Sequence, residues 1–155
     1  MNKYIVEIRN KKEIFDAAGQ GVKHGIFYLG IKNVTEVSTA QLYVISGDIS
    51  YDDIIKLAEE LLTDNITQEY SIYTSEDKLD TVRNVFVIDV FFKPGVTDTV
   101  GETAFKASKD IGVDSVKEAH TGFRYFISGK LDNKTLEKIC NRLLANTVVQ
   151  QYKIL

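Results

Sequence analysis

The sequence predicts a duplicated α+β fold, two β-α-β-β-α-β repeats that close on each other as an intramolecular pseudo-dimer. Three observations lead there. Shifted by 82 residues, the chain lies on itself without a gap. Each copy switches between the period of two of a strand and the 3.6-residue period of a helix. The strand holding Leu42 to Ile45 is apolar on both faces, so a single layer of helices would leave it half uncovered.

Under the shift Asp16 falls on Asp98, Gly19 on Gly101 and Gly30 on Gly112. YVISG (43–47) falls on YFISG (125–129), Leu61 and Leu62 on Leu143 and Leu144, and Gln68, Tyr70 and Ile72 on Gln150, Tyr152 and Ile154. About 17 of roughly 70 aligned pairs are identical, against about four expected from ordinary residue frequencies. The chain therefore divides into a first repeat, 1–73, a polar linker TSEDKLDTVRN at 74–84, and a second repeat, 85–155.

The elements follow in order. YIVEI (4–8) and VIDVFF (87–92) alternate and are β-branched, which predicts strands. A helix is predicted over about 17–29 and 99–111, with Val22, Ile26 and Leu29 on one face and Val100, Ala104 and Ile111 on its counterpart. Gly30 and Gly112 stand where a helix end takes a left-handed residue. VTEVST and QLYVI read as two strands, matched by VKEA and FRYFI. A second helix, about 51–63 and 133–145, carries the stripe Ile54, Leu57, Ala58, Leu61, repeated as Leu136, Ile139, Cys140, Leu143. QEYSIY and QQYKIL give the last strand. This is the ferredoxin-like order. A unit of about 70 residues is marginal alone. Leu42 and Val44 are apolar on one face and Tyr43 and Ile45 on the other, so the other copy is the simplest cover.

Composition narrows the function. The formal net charge is −3 and Lys and Arg form no run, which argues against a nucleic-acid or anionic-membrane surface. No apolar run approaches the ~20 residues of a membrane span. MNKYIVEIRNKK has no signal-peptide core, so a cytoplasmic chain is expected. The single cysteine rules out a disulfide framework.

Candidates for chemistry are few. Two histidines and one cysteine have no metal-ligand spacing, and no catalytic, metal or cofactor site is expected in this chain. Cys140 reads as core and His24 as a solvated side chain. His120, close to Arg124, allows a surface anion contact. GQGVKHG and GFRYFISGK lack the glycine spacing of phosphate loops. FFKPGVTDTVG (91–101) remains. Pro94 ends the ladder, Gly95 permits a turn, and Asp98 is placed as an N-cap. Gly101, inside the first helical turn, implies close approach of another backbone. Asp16 and Gly19 repeat the last two, which favours a strand-to-helix joint over a ligand loop.

These residues carry a family resemblance. FKPGVTDTVGETA, IGVDSVKEA, FRYFISGKL and NRLLANTVVQQYKI resemble the PurS family, the small subunit of phosphoribosylformylglycinamidine synthase in purine biosynthesis. The match runs through Lys93, Pro94, Gly95, Val96, Asp98, Gly101, Gly112, Leu143, Leu144, Ala145, Asn146 and Tyr152, and departs at Thr99 and at 120–123. The first copy looks more like the leading half of the tandem domain of fused synthases. The resemblance implies a component of an ATP- and glutamine-dependent ligase with no catalytic site of its own. It would bridge the large synthetase subunit and the glutaminase subunit and help organise the ammonia path. It implies that Lys93, Pro94, Gly95, Asp98, Gly101, Asp16 and Gly19 are structural or partner-contact positions, and it allows self-association of pseudo-dimers. An ACT-like regulatory module, which binds a small effector, shares the element order and is the alternative; LLANTVVQQY and LLTDNITQEY favour PurS.

Overall fold

A computed structural model describes all 155 residues. The elements are β1 (Asn2–Asn10), α1 (Ala17–Tyr28), β2 (Val34–Gly47), α2 (Tyr51–Leu57, continued by a π-helical turn, Ala58–Leu62), β3 (Gln68–Thr74), β4 (Val85–Phe92), α3 (Thr99–Asp110), β5 (Val116–Gly129), α4 (Asn133–Ile139, continued by a π-helical turn, Cys140–Leu144) and β6 (Gln150–Ile154). No helix is long and apolar enough to cross a membrane.

The expected caps at Asp16 and Asp98 are present, and Ser50 and Asp132 cap the other two helices. Asp16, Ser50, Asp98 and Asp132 each accept a hydrogen bond from the backbone N–H three residues on. Gly30 and Gly112 follow the ends of α1 and α3 with φ of 86° and 87°, the left-handed conformation expected there.

The middle strands correct the sequence reading. VTEVST and QLYVI are not two strands but one, the 14-residue β2, and β5 is its 14-residue counterpart. The physical reason is that no Gly, Pro, Asn or Asp stands between Ser38 and Tyr43 to turn the chain, so the ladder runs on.

Long middle strands have a topological consequence. The chain forms two compact units, and neither is a repeat: one is Met1–Ile14, Gln41–Lys78 and Thr97–Gly122, the other Phe15–Ala40, Leu79–Val96 and Phe123–Leu155. The first unit has strands in the order β3-β1-β2-β5, using 41–47 of β2 and 116–122 of β5, with helices α2 and α3. The second has β2-β5-β4-β6, using 34–40 and 123–129, with α1 and α4. Each unit thus holds the four strands and two helices of a ferredoxin-like fold. Its helix α3 or α1, and the half-strand that follows, come from the other repeat. The two repeats thus form the expected intramolecular pseudo-dimer of ferredoxin-like units, and they do so by exchange: Phe15–Ala40 and Thr97–Gly122 each belong to the unit whose other elements come from the opposite repeat.

Each unit has its own core. In the first, Tyr4, Val6 and Ile8 of β1 and Tyr43 and Ile45 of β2 pack on Ile54, Leu57 and Ala58 of the α2 segment and Ala104 of α3. In the second, Ile88 and Val90 of β4 and Ile127 of β5 pack on Ile26 of α1 and Leu136, Ile139 and Cys140 of the α4 segment. β1 is antiparallel to β2, with Glu7 opposite Leu42 and Ile5 opposite Val44. Leu42 and Val44 are buried along with Tyr43 and Ile45, so β2 is covered on both faces there.

Candidate functional site

The motif shared by the two repeats builds the same joint twice. In the first unit the Asp98 carboxylate accepts from Gly101 N–H at 2.9 Å, from Thr121 N–H at 2.6 Å and from the Thr121 hydroxyl at 2.7 Å. In the second, Asp16 accepts from Gly19 N–H at 2.8 Å, from Thr39 N–H at 2.7 Å and from the Thr39 hydroxyl at 3.0 Å. Each carboxylate therefore ties the start of a helix to the strand that follows it. The helix comes close to that strand: a Cβ on Gly101 would lie 2.5 Å from the Ala119 carbonyl oxygen, and one on Gly19 2.5 Å from that of Val37. This is the close approach that a glycine in the first turn implied. The two threonines were missed by sequence reasoning. The signal was present, because Thr39 falls on Thr121 under the repeat shift.

The upstream half of the motif is a turn. Val96 N–H donates to the Lys93 carbonyl at 3.1 Å across Pro94 and Gly95, and Gly95 has φ of 85°. That is a type II turn, with proline and glycine at their preferred positions. The first repeat closes the same turn from Ile14 N–H to the Lys11 carbonyl at 2.9 Å, without a positive-φ residue. Pro94 and Gly95 therefore select the turn type, not the existence of the turn. Lys93 N–H and Lys11 N–H donate to the carbonyls of Val149 and Thr67, each at 2.9 Å, which anchors both turns to the approach of the last strand. The chain then changes unit, between Val96 and Thr97 and between Ile14 and Phe15. Lys93, Pro94 and Gly95 lie exposed in one unit, while Asp98 and Gly101 belong to the other.

His120 and Arg124 do not form a surface anion contact. Arg124 is 3% exposed and makes a two-pronged ion pair with Asp89, Nε to Oδ1 at 2.7 Å and a terminal nitrogen to Oδ2 at 2.9 Å. A guanidinium buried and neutralised in this way cannot reach a solvent anion. His120 is exposed, 3.6 Å from Glu118. In the first repeat the Asp89 and Arg124 positions are Glu7 and Leu42. Glu7 is buried as well and takes Arg9 as its partner instead.

The other candidates are engaged in packing. Cys140 is fully buried, and its thiol is pushed up to about 11 by burial, with Glu137 adding to the shift. His24 sits at the surface, 3.1 Å from the Gln20 amide nitrogen. No cluster of three or more His, Cys, Asp or Glu side chains could hold a metal ion. The first unit has a cavity of about 240 Å³ between α3 and the α2 segment, lined by Tyr43, Leu61, Leu62, Val100 and Ala104 among others. The Tyr43 hydroxyl at its wall is raised in pKa by burial and then by the charge of Asp98.

The PurS family model, described as phosphoribosylformylglycinamidine (FGAM) synthase, matches residues 3–76 and again 85–155. Among solved structures the chain is similar to Methanocaldococcus jannaschii PurS, one of the subunits of formylglycinamide ribonucleotide amidotransferase in the purine biosynthetic pathway. Identity is 23% and the TM-score 0.46, over 50% of this chain and 100% of that one. It is similar also to B. subtilis PurS, at 22% identity and a TM-score of 0.43, over 49% of this chain and 100% of that one. No curated protein matches the chain.

Proposed function

Because the chain belongs to the PurS family of phosphoribosylformylglycinamidine synthase, we propose that it is a non-catalytic assembly component of that purine-biosynthetic enzyme. In this role it bridges the ATP-dependent synthetase and the glutaminase and helps organise ammonia transfer between them. The observation that carries the reading is the double family match, over 3–76 and 85–155. One chain supplies two copies of a component, and the two copies have diverged enough to meet different partners. The engagement of the reactive side chains supports it further. Asp16 and Asp98 are held as caps, Asp89 and Arg124 hold each other, and Cys140 is closed off in a core. The match over both repeats also favours this reading over an ACT-like effector-binding module.

Reconstitution tests it. Co-expression with the large synthetase component and the glutaminase is expected to yield a ternary complex whose glutamine-dependent amidine synthesis requires this chain. Full glutamine-dependent activity in its absence would overturn the assignment.

A further inference from the structure

Each unit ends in an unprotected edge strand, β3 in the first and β6 in the second. β3 pairs residue for residue with β1, and β6 with β4, so neither edge carries a bulge, and neither contains proline. Bulges and prolines are among the devices that blunt an exposed edge. The hydrogen-bond phase of each edge is fixed. Lys11 N–H donates to the Thr67 carbonyl, so 69, 71 and 73 bond to β1, while Gln68, Tyr70, Ile72 and Thr74 turn their N–H and C=O groups outward. Lys93 N–H donates to Val149 and Leu155 N–H to Val87, which turns Gln150, Tyr152 and Ile154 outward in the same way. The N–H groups of Gln68, Thr74 and Gln150 are already taken by Asp64, Asp77 and Asn146. Tyr70 and Ile72 on one edge, and Tyr152 and Ile154 on the other, keep outward N–H groups with no partner in the chain. All four side chains are half-buried against the cores.

The two edges carry opposite charge. β3 has one charged side chain, Glu69, and β6 has one, Lys153, both exposed. They are not repeat counterparts: Gln151 stands at the Glu69 position and Ser71 at the Lys153 position. The helical segment beside each edge has the sign of its strand. The α2 segment leads into β3, and the Tyr70 hydroxyl donates to its Glu59 at 2.7 Å. That segment has one cation (Lys56) and four anions (Asp52, Asp53, Glu59, Glu60), net −3. The α4 segment leads into β6, and its Leu144 shares a core with Tyr152. It has three cations (Lys134, Lys138, Arg142) and one anion (Glu137), net +2.

We propose that β3 of one chain pairs with β6 of a second copy of the same chain, head to tail. Both units have the same strand order and hand. A half-turn in the plane of the sheet therefore sets the two outer strands side by side and antiparallel, with both sets of helices on one face. Gln68 then lies opposite Ile154 of the second copy, Tyr70 opposite its Tyr152 and Ile72 opposite its Gln150. In this register the outward N–H groups of Tyr70, Ile72, Tyr152 and Ile154 all find carbonyls, on Tyr152, Gln150, Tyr70 and Gln68 in turn. Glu69 faces Lys153 in a non-hydrogen-bonded pair, where opposed side chains stand closest, with Cα atoms about 4.5 Å apart. Sliding one strand by two residues either sets Lys153 against Ser71 or leaves the Ile72 and Ile154 N–H groups unpaired. The second copy is selected by charge. A β3–β3 seam brings two α2 segments of net −3 together, and a β6–β6 seam two α4 segments of net +2, whereas the mixed seam sets one beside the other. A contact between two different edges is heterologous, so further copies add in the same sense.

The test uses the full chain over a series of concentrations, read by light scattering. The mass of the parent is expected to rise above that of one chain as concentration increases. Glu69→Lys sets two lysines against each other at the seam, and Lys153→Glu sets two carboxylates; each should weaken association by about tenfold. Glu69→Lys/Lys153→Glu restores an opposite pair and should return to within about twofold of the parent. Both side chains are exposed, and unchanged urea midpoints verify that the fold is kept. A second measurement reads the register. Glu69→Cys and Lys153→Cys, mixed under mild oxidation, should become linked one to one, because about 4.5 Å between Cα atoms is within the span of a disulfide. Neither should cross-link alone, since the native Cys140 is buried. A parent that keeps the mass of one chain throughout would overturn the proposal. So would single reversals that associate like the parent, a double reversal no better than the singles, or a disulfide formed by Glu69→Cys alone, which would mark a β3–β3 seam instead.

Discussion

Asp98 and Thr121, 23 residues apart, are joined by two hydrogen bonds: the threonine N–H and its hydroxyl both donate to the aspartate carboxylate, at 2.6 and 2.7 Å. With Gly101 N–H as a third donor, the carboxylate fixes the start of α3 against β5. Asp98→Ala is therefore expected to cost about 2–3 kcal/mol, more than an ordinary cap, because it also orphans a strand N–H. Asp16→Ala should cost a similar amount. Thr121→Val combined with Asp98→Ala should cost less than the two singly, since they share one interaction. Urea unfolding midpoints measure all four.

Glycine-to-alanine changes should split in sign. Gly101→Ala drives a methyl to 2.5 Å from the Ala119 carbonyl, and a cost of about 2 kcal/mol or more is expected from the forced backbone shift. Gly21→Ala, in α1 with nothing within 4 Å of its Cβ, should stabilise by about 0.5–1 kcal/mol through helix propensity alone. Thermal or urea unfolding distinguishes the two, and a stabilising Gly101→Ala would contradict the close helix–strand approach.

Arg124→Ala strands the buried Asp89 carboxylate. A loss of about 3–5 kcal/mol is expected, as for other buried pairs broken on one side. Asp89→Val/Arg124→Leu, which places leucine where the first repeat has Leu42, should recover most of it. A double variant as unstable as Arg124→Ala would show that more than the uncompensated charge is at stake.

Cys140 should be silent toward thiol reagents in the native state at pH 8 and react on unfolding. Its folded pKa, about 11, is raised above the ordinary 9.0, chiefly by burial. A raised pKa means that the neutral thiol is the form favoured in the folded state. Its contribution to stability is therefore complete below about pH 9 and lost as pH rises toward 11. Cys140→Ala should flatten the fall in stability over that window, read from urea midpoints at successive pH values.

The exchange of segments predicts the behaviour of the halves. Each unit needs elements of both repeats, so 1–76 expressed alone is not expected to give a folded monomer. Co-expressed with 85–155 it should form a 1:1 complex with the far-UV spectrum of the intact chain. A stable monomer of 1–76, seen by light scattering with cooperative unfolding, would contradict the exchange.

Much of this was legible beforehand. The helix starts at Asp16 and Asp98 follow from local capping chemistry, and the burial of both faces of β2 follows from Leu42, Tyr43, Val44 and Ile45 in succession. The position of Arg124 was not legible. Its partner, Asp89, lies 35 residues away, and a lone arginine in a strand otherwise reads as solvated. The break predicted within 34–47 was also misplaced, because two short strands and one long strand share the same alternation.

The sequence by itself determined the duplication, the place and type of nearly every element, the caps at Asp16 and Asp98, and the family. All of these are written in local pattern or in self-similarity. Tertiary structure alone decided which repeat supplies α1 and α3 to which core. A repeat closed on itself and a repeat that exchanges Phe15–Ala40 for Thr97–Gly122 bury equivalent residues with the same periodicity. No sequence pattern separates them, and the choice falls to the length of β2 and β5, which carry the chain out of one unit and into the other.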